Sequence, residues 1–343
     1  MSTNNSRDRR LMTAIRSAVG LALIVLAGSA LTGAQSNEPL VRVTRVTRQA
    51  MTQELAWLGE HRFDIAFARF DSGLLIAQPG RAAVERSYLF VEDIGTFLSR
   101  KRLEPGYRLL PQTLTPRERL YDAVFVKTEG DGQIRDYALL DGSSPDDLEK
   151  KARKALGEGF VPVAINTDGR AAAVFERRLD GRAWKILATR STATMEKELG
   201  SAASEGYRVM AAGGGRDLVY ALAQFADAPA VTYRLLSATK AKTLERELNQ
   251  MAGQGFHLVP SSLAALGGSP TLLNPRISNE AVVLVENVRT PASVDYRLVG
   301  AVRFSTIEKE TLEAASHGYS IVTAIIGYEE TLIILASPRA PVS

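Results

Sequence analysis

A tandem repeat constrains this chain more than any other feature. Four segments align without a gap between two markers. The first marker is the large aromatic that opens a strand: Tyr137, Trp184, Tyr233 and Tyr296. The second is a glycine-aromatic pair: Gly159-Phe160, Gly206-Tyr207, Gly255-Phe256 and Gly318-Tyr319. The aromatic-to-aromatic distance is 23 residues in all four. A fixed spacing of this kind is the signature of repeated supersecondary units.

Between the markers the pattern predicts a helix. Apolar residues recur on one stripe: Leu244, Leu248, Met251 and Ala252; Met195, Leu199, Ala202 and Ala203; Leu148, Ala152, Ala155 and Leu156. The last copy offers Ile307, Leu312, Ala314 and Ala315. Such spacing is one face of an α-helix. Ser144 supplies an N-cap, and Ser305-Thr306-Ile307-Glu308 has capping-box spacing. The glycine before each aromatic stops the helix, because the residue after a helix end often needs positive φ. Two further strands follow each glycine. Runs such as Val282–Val285 and Leu332–Leu335 are apolar at consecutive positions, which predicts a strand covered on both faces.

Two more copies lie upstream. Leu40 to Phe63 again spans 23 residues, with Met51, Leu55 and Leu58 on the helix stripe. It carries His61-Arg62 in place of the glycine, so a different helix ending is expected there. Tyr88 to Tyr107 spans 19, about one helical turn less. The expected fold class is α+β: six tandem β-α-β-β modules sharing sheets or packed as pseudosymmetric pairs. The modules are placed at 40–79, 86–129 with a shortened helix, 135–178, 182–225, 231–288 and 294–337. Units this small bury little core alone, so neighbours must share one.

The unit resembles a small uncharacterised bacterial domain with a tyrosine-started strand, a Glu/Leu-rich helix, a Gly-aromatic-x-Leu-Val segment and a closing strand. Its carriers here are Tyr233-Arg-Leu-Leu, Leu244-Glu-Arg-Glu-Leu248-Asn and Gly255-Phe256-His-Leu-Val259. The resemblance implies no reaction and no cofactor.

Residues 1–34 read as an export signal. Arg7, Arg9, Arg10 and Arg16 precede an apolar run from Leu21 to Ala27, and small residues lead to Ala34. Cleavage before Gln35 is expected; an uncleaved segment is the one foreseen membrane contact. The chain has no cysteine, so disulfides and lipidation at the position of Ala34 are chemically excluded. Taking the segment's four arginines and one acid from the chain's 42 and 38 leaves a net charge of +1. The basic balance thus belongs mostly to the leader, and nucleic acid is not an expected partner. Periplasmic or secreted localisation follows.

Little in the sequence points to chemistry. His61, His257 and His317 occupy different module positions and are read as surface or capping residues. Gly213-Gly214-Gly215-Arg216 is read as a hairpin turn needing positive φ, and Glu129-Gly130-Asp131-Gly132 as a solvated hairpin. No catalytic, cofactor-binding or metal residue is assigned. The one break in the repeat is an insertion at 261–281 in module 5. Its candidate partner-contact residues are Leu263, Leu266, Leu272, Leu273 and Arg276. The expectation is a non-catalytic binding or scaffolding protein whose partner is another envelope protein. The alternatives are a small-molecule or stress sensor with an inter-module pocket, and a hydrolase with dispersed catalytic residues.

Overall fold

In the computed structural model the described residues form six helices and twenty strands in six small antiparallel sheets. They comprise 40–80, 84–118, 120–142, 144–167, 171–178, 181–215, 217–227, 229–266, 280–287, 294–326 and 330–338. The expected export signal lies outside them. Module 1 holds β1 (Arg42–Arg45), α1 (Arg48–Glu60), β2 (Phe63–Arg69) and β3 (Leu74–Pro79). Module 2 holds β4 (Arg86–Val91), α2 (Ile94–Arg100), β5 (Tyr107–Leu109), β6 (Thr115–Arg117) and β7 (Leu120–Thr128). Module 3 holds β8 (Tyr137–Gly142), α3 (Pro145–Gly157), β9 (Phe160–Asn166) and β10 (Ala171–Arg177). Module 4 holds β11 (Trp184–Thr189), α4 (Thr192–Ser204), β12 (Tyr207–Gly213) and β13 (Leu218–Gln224). Module 5 holds β14 (Thr232–Ala238), α5 (Ala241–Gly253), β15 (Phe256–Leu258), β16 (Ala264–Leu266) and β17 (Glu280–Asn287). Module 6 holds β18 (Val294–Ala301), α6 (Phe304–Ser316), β19 (Ser320–Ile326) and β20 (Thr331–Pro338).

In every sheet the last strand of the module is central, paired on one side with the first strand and on the other with the second. That position explains the consecutive apolar runs. Val282, Val283, Leu284 and Val285 are all buried, as are Leu332 to Leu335. The helix stripes are largely buried too, with Leu156 and Met251 half-buried; in α6 Thr311 is wholly buried, while Leu312 is exposed. Ile307, Thr311 and Ala314 keep the 3.6-residue period, and Leu312 falls one position off it. α6 also begins earlier than the capping-box spacing suggests. Arg303 is its N-cap without a side-chain bond, which places Ser305 inside the first turn.

The turns into the second strands follow one geometry, although α2 itself ends earlier, at Arg100, with Lys101 extended. Gly106, Gly159, Gly206, Gly255 and Gly318 all have φ between 82° and 90°. In module 1 Arg62 takes the same place at φ 58°, so that helix ends like the others and a Cβ-bearing residue carries the strain. Gly213 and Gly214, by contrast, are absent from the positive-φ set. Their small size serves close packing: a Cβ on Gly213 meets Ile165 Cγ2 at 2.7 Å, and one on Gly214 collides with Ala264. The cluster does connect the antiparallel strands β12 and β13 as a hairpin, but the positive φ expected of its glycines is corrected, and Arg216 lies outside the described residues.

The modules neither merge sheets nor pair off. Each shares cores with its neighbours, and the sixth closes on the first. One cluster joins Val43, Phe67 and Ile76 of module 1 to Val299, Ile307 and Ile333 of module 6. Others join modules 5 and 6, 4 and 5, 2 and 3, and 1 and 2. Helices pack on the first strand of the following module, and α6 on β1. The second strands touch one another around the ring, β9 against β12 and β19 against β2. Sheets do not merge because each first strand's outer side faces the preceding helix. There Glu196 of α4 accepts from the Leu235 amide (2.9 Å), and Glu245 of α5 from that of Leu298 (2.7 Å).

The first-strand tyrosines fasten these junctions. Tyr137 Oη accepts from the Leu109 amide (3.2 Å), Tyr233 from Val209 (3.2 Å) and Tyr296 from Leu258 (2.9 Å). Each acceptor thus meets the amide two residues beyond the second aromatic of the preceding module. Tyr88 donates instead to the Phe63 carbonyl (2.5 Å). At ring closure Leu40 offers no hydroxyl. The Gln78 amide takes over, donating to the Ile321 carbonyl (3.1 Å) and accepting from the Ile321 N–H (2.8 Å).

A second regularity divides the ring in two. The second strand bulges at one place in modules 1, 3, 4 and 6, near Ala66, Val163, Met210 and Val322. In modules 2 and 5 a 3₁₀ turn replaces the bulge, at Pro111–Thr113 and Pro260–Ser262. Thr113 and Ser262 are wholly buried and make matching bonds. Their hydroxyls accept from the Val124 and Leu284 amides, each at 2.9 Å. They donate to the Leu110 and Val259 carbonyls, at 2.7 and 2.6 Å. Modules 1–3 and 4–6 are therefore two versions of one three-module half.

Candidate functional site

The described residues leave a cleft of about 410 Å³ between modules 5 and 6. Its walls come from the start of α5, the ends of β16 and β17, and the facing parts of β18, β19 and β20. Lys240, Lys242, Glu280 and Glu330 line it together with apolar Ala265, Val302, Ile325 and Leu332. Gly300 brings the walls close: a Cβ there meets Ala241 Cβ at 2.7 Å. Val302 is 77% exposed, an unusual position for a valine beside a cleft. The corresponding helix of the first half, α2, is capped by the Asp93 side chain on the Thr96 amide (3.1 Å). α5 has Lys240 at that place and no side-chain cap. α6 likewise has a basic N-cap, Arg303, without a side-chain bond, so no signal in the sequence marked the cleft.

The insertion leaves from its rim. Leu266 and Glu280 are register partners in the sheet, and Ala265 and Glu280 line the cleft. Of the five candidate contact residues, Leu263 packs against the core of modules 5 and 6, and Leu266 against that of modules 4 and 5. The structure thus makes the first part of the insertion a 3₁₀ turn ending at Ser262 and a strand, 264–266, paired in the sheet as 115–117 is in module 2. Leu272, Leu273 and Arg276 lie outside the described residues.

The histidines stay apart. His61 and His317 close their helices, each with Nδ1 on a carbonyl four residues back, Trp57 (2.8 Å) and Glu313 (2.7 Å). His61 also stacks on Trp57 at 4.0 Å. His257 lies opposite Glu286 across the sheet. Burial lowers the His257 pKa and raises that of Glu286, the latter opposed by the Arg208 charge. Asp131 accepts from the Gln133 amide and from Arg135, which hold its carboxyl below the usual range. Among the described residues no three histidine or carboxylate groups converge as a metal site.

One buried carboxylate has no trace in the sequence pattern. Asp122 is fully buried, 2.5 Å from Arg48 and 3.4 Å from Arg117, and accepts from the Asp93 amide at 3.2 Å. It ties the start of α1 to module 2, a structural role. No helix among the described residues is long and apolar enough to cross a membrane. No protein-family model, curated protein or solved structure matches this chain.

Proposed function

We propose that this chain is an exported, non-catalytic binding protein of the cell envelope. In this reading a six-times repeated β-α-β-β unit serves as a closed scaffold, and the ligand sits between modules 5 and 6. The carrying observation is the 410 Å³ cleft, lined by two lysines, two glutamates and apolar side chains. That lining suits a small amphipathic molecule bearing both charges, held by charge at its ends and by apolar contact between. Export rests on the basic and apolar pattern of residues 1–34.

Two measurements test this reading. N-terminal sequencing of the protein recovered from the envelope or medium is expected to begin near Gln35; retention of Met1 overturns export. Native mass spectrometry of that material is expected to show a bound small molecule. Reversing Lys240 and Lys242 to Glu should weaken its binding at least about tenfold, since each lost charge-assisted contact is worth about 1.5–3 kcal/mol. A chain recovered empty, whose melting no charged metabolite shifts, refutes the cleft as a ligand site.

A further inference from the structure

We infer that the junction between modules 3 and 4 is a built-in joint of the ring, pivoting on its inner strands. Elsewhere a first-strand hydroxyl or the Gln78 amide bonds the second strand of the preceding module. At this junction the first-strand aromatic is Trp184, which has no acceptor, and the position equivalent to Leu109, Val209 and Leu258 is Pro162, which has no N–H. Both halves of the fastening are missing together. The indole Nε1 of Trp184 is buried without a partner.

The outer layer of the junction is thin as well. Glu149 stands on α3 where Glu196 and Glu245 stand on α4 and α5. It pairs with Arg153 of its own helix at 2.5 Å, while Glu196 and Glu245 hold the next strand. All six residues of β11 are only partly buried, unlike β14 and β18. The core of module 3 around Leu148, Phe160 and Phe175 reaches module 4 only through Ile186.

The inner side is firm. Thr167 and Gly215 form a parallel bridge, and Thr167 Oγ1 donates to the Asp217 carbonyl at 3.1 Å. Gly213 lies close against Ile165 there. A junction fixed at one edge and loose at the other opens about the fixed edge. It also falls at a boundary of the two three-module halves, away from the cleft between modules 5 and 6.

Amide hydrogen exchange of the full chain tests this, because exchange reports local opening directly. The Ile186 amide should exchange at least about tenfold faster than its counterparts Leu235 and Leu298, a gap expected when one bonded contact is missing. Supplying both missing groups, Trp184→Tyr with Pro162→Val, should slow Ile186 toward Leu235, whereas each single change should not. Equal protection of Ile186, Leu235 and Leu298 in the unmodified chain overturns the joint, whether or not the variants fold. A double variant that folds but exchanges no more slowly overturns it also.

Discussion

The two halves of the ring, modules 1–3 and modules 4–6, show what the fold requires and what it leaves open. They agree at the 3₁₀ turns, where Thr113 and Ser262 make the same buried bonds. They agree at the tyrosines that fasten two junctions within each half. They differ where the middle module meets its neighbours. In the first half α2 has 7 residues, is capped by Asp93 and sits beside a buried Asp122. In the second half α5 has 13 residues and no side-chain cap, and Val282 takes the place of Asp122. The cleft and the insertion belong to the second half alone. Shared positions serve closure of the ring; the unshared ones are where a ligand site could arise without disturbing it.

The largest effect is expected at Asp122. Giving the first half the second half's residue, Asp122→Val, leaves Arg48 and Arg117 facing an apolar group. Both arginines are about a third exposed, so they recover some hydration, and the expected cost is about 3 kcal/mol. Urea unfolding measures it; a neutral result means that the halves are interchangeable at this position.

Next come the shared hydroxyls. Thr113→Val and Ser262→Ala each leave a buried amide, Val124 or Leu284, without its acceptor, at a cost of about 2 kcal/mol. If the halves are equivalent here, the two costs agree within the error of the same unfolding measurement. A large cost at one and none at the other breaks the equivalence.

These sites also show how far the sequence was readable. The helix stripes, the positive-φ glycines and the buried third strands follow from periodicity and backbone sterics, which act within a few residues. Ring closure does not, because Gln78 and Ile321 meet across 243 positions and Leu40 lacks the aromatic that marks the other junctions. Arg48 and Asp122 are 74 positions apart and match no repeat pattern. Even within a helix, Thr311 displaced Leu312 from the core because position on the stripe outweighed side-chain character. The cleft was invisible for a similar reason: its charges come from three separate places, the start of α5, the start of β17 and the residue before β20, each unremarkable alone.

A smaller contrast sets module 1 against module 5. A Cβ added at Gly255 meets no heavy atom within 4 Å, so Gly255→Ala tests backbone strain alone. It should destabilise by about 1 kcal/mol. Arg62 already carries that strain at φ 58°, and Arg62→Gly should recover part of it, up to about 1 kcal/mol. Opposite signs in thermal melting support a common left-handed turn after the helices of modules 1 and 5; a destabilising Arg62→Gly contradicts it.

The smallest expected effects compare two tyrosines sharing the core of modules 4 and 5. Tyr233 bonds the Val209 amide, whereas the hydroxyl of Tyr220 is fully buried and has no partner. Tyr233→Phe should cost about 1 kcal/mol, and Tyr220→Phe should stabilise by somewhat less, because it removes an unmet desolvation cost. pH separates the two roles further. Burial raises the Tyr233 pKa to about 12, above its value of about 10 in an unfolded chain. The stability gained from keeping it neutral is therefore complete below about pH 10 and fades as pH rises through the folded value. Tyr220 is raised by burial alone and behaves with the same sign. Unfolding measured from pH 8 to pH 12 should show a steep loss of stability in the parent chain. Replacing both tyrosines with Phe should lessen that loss without removing it, because burial also raises the pKa of Tyr88, Tyr137 and Tyr296. An unchanged slope in the double variant shows that the alkaline loss arises elsewhere in the ring.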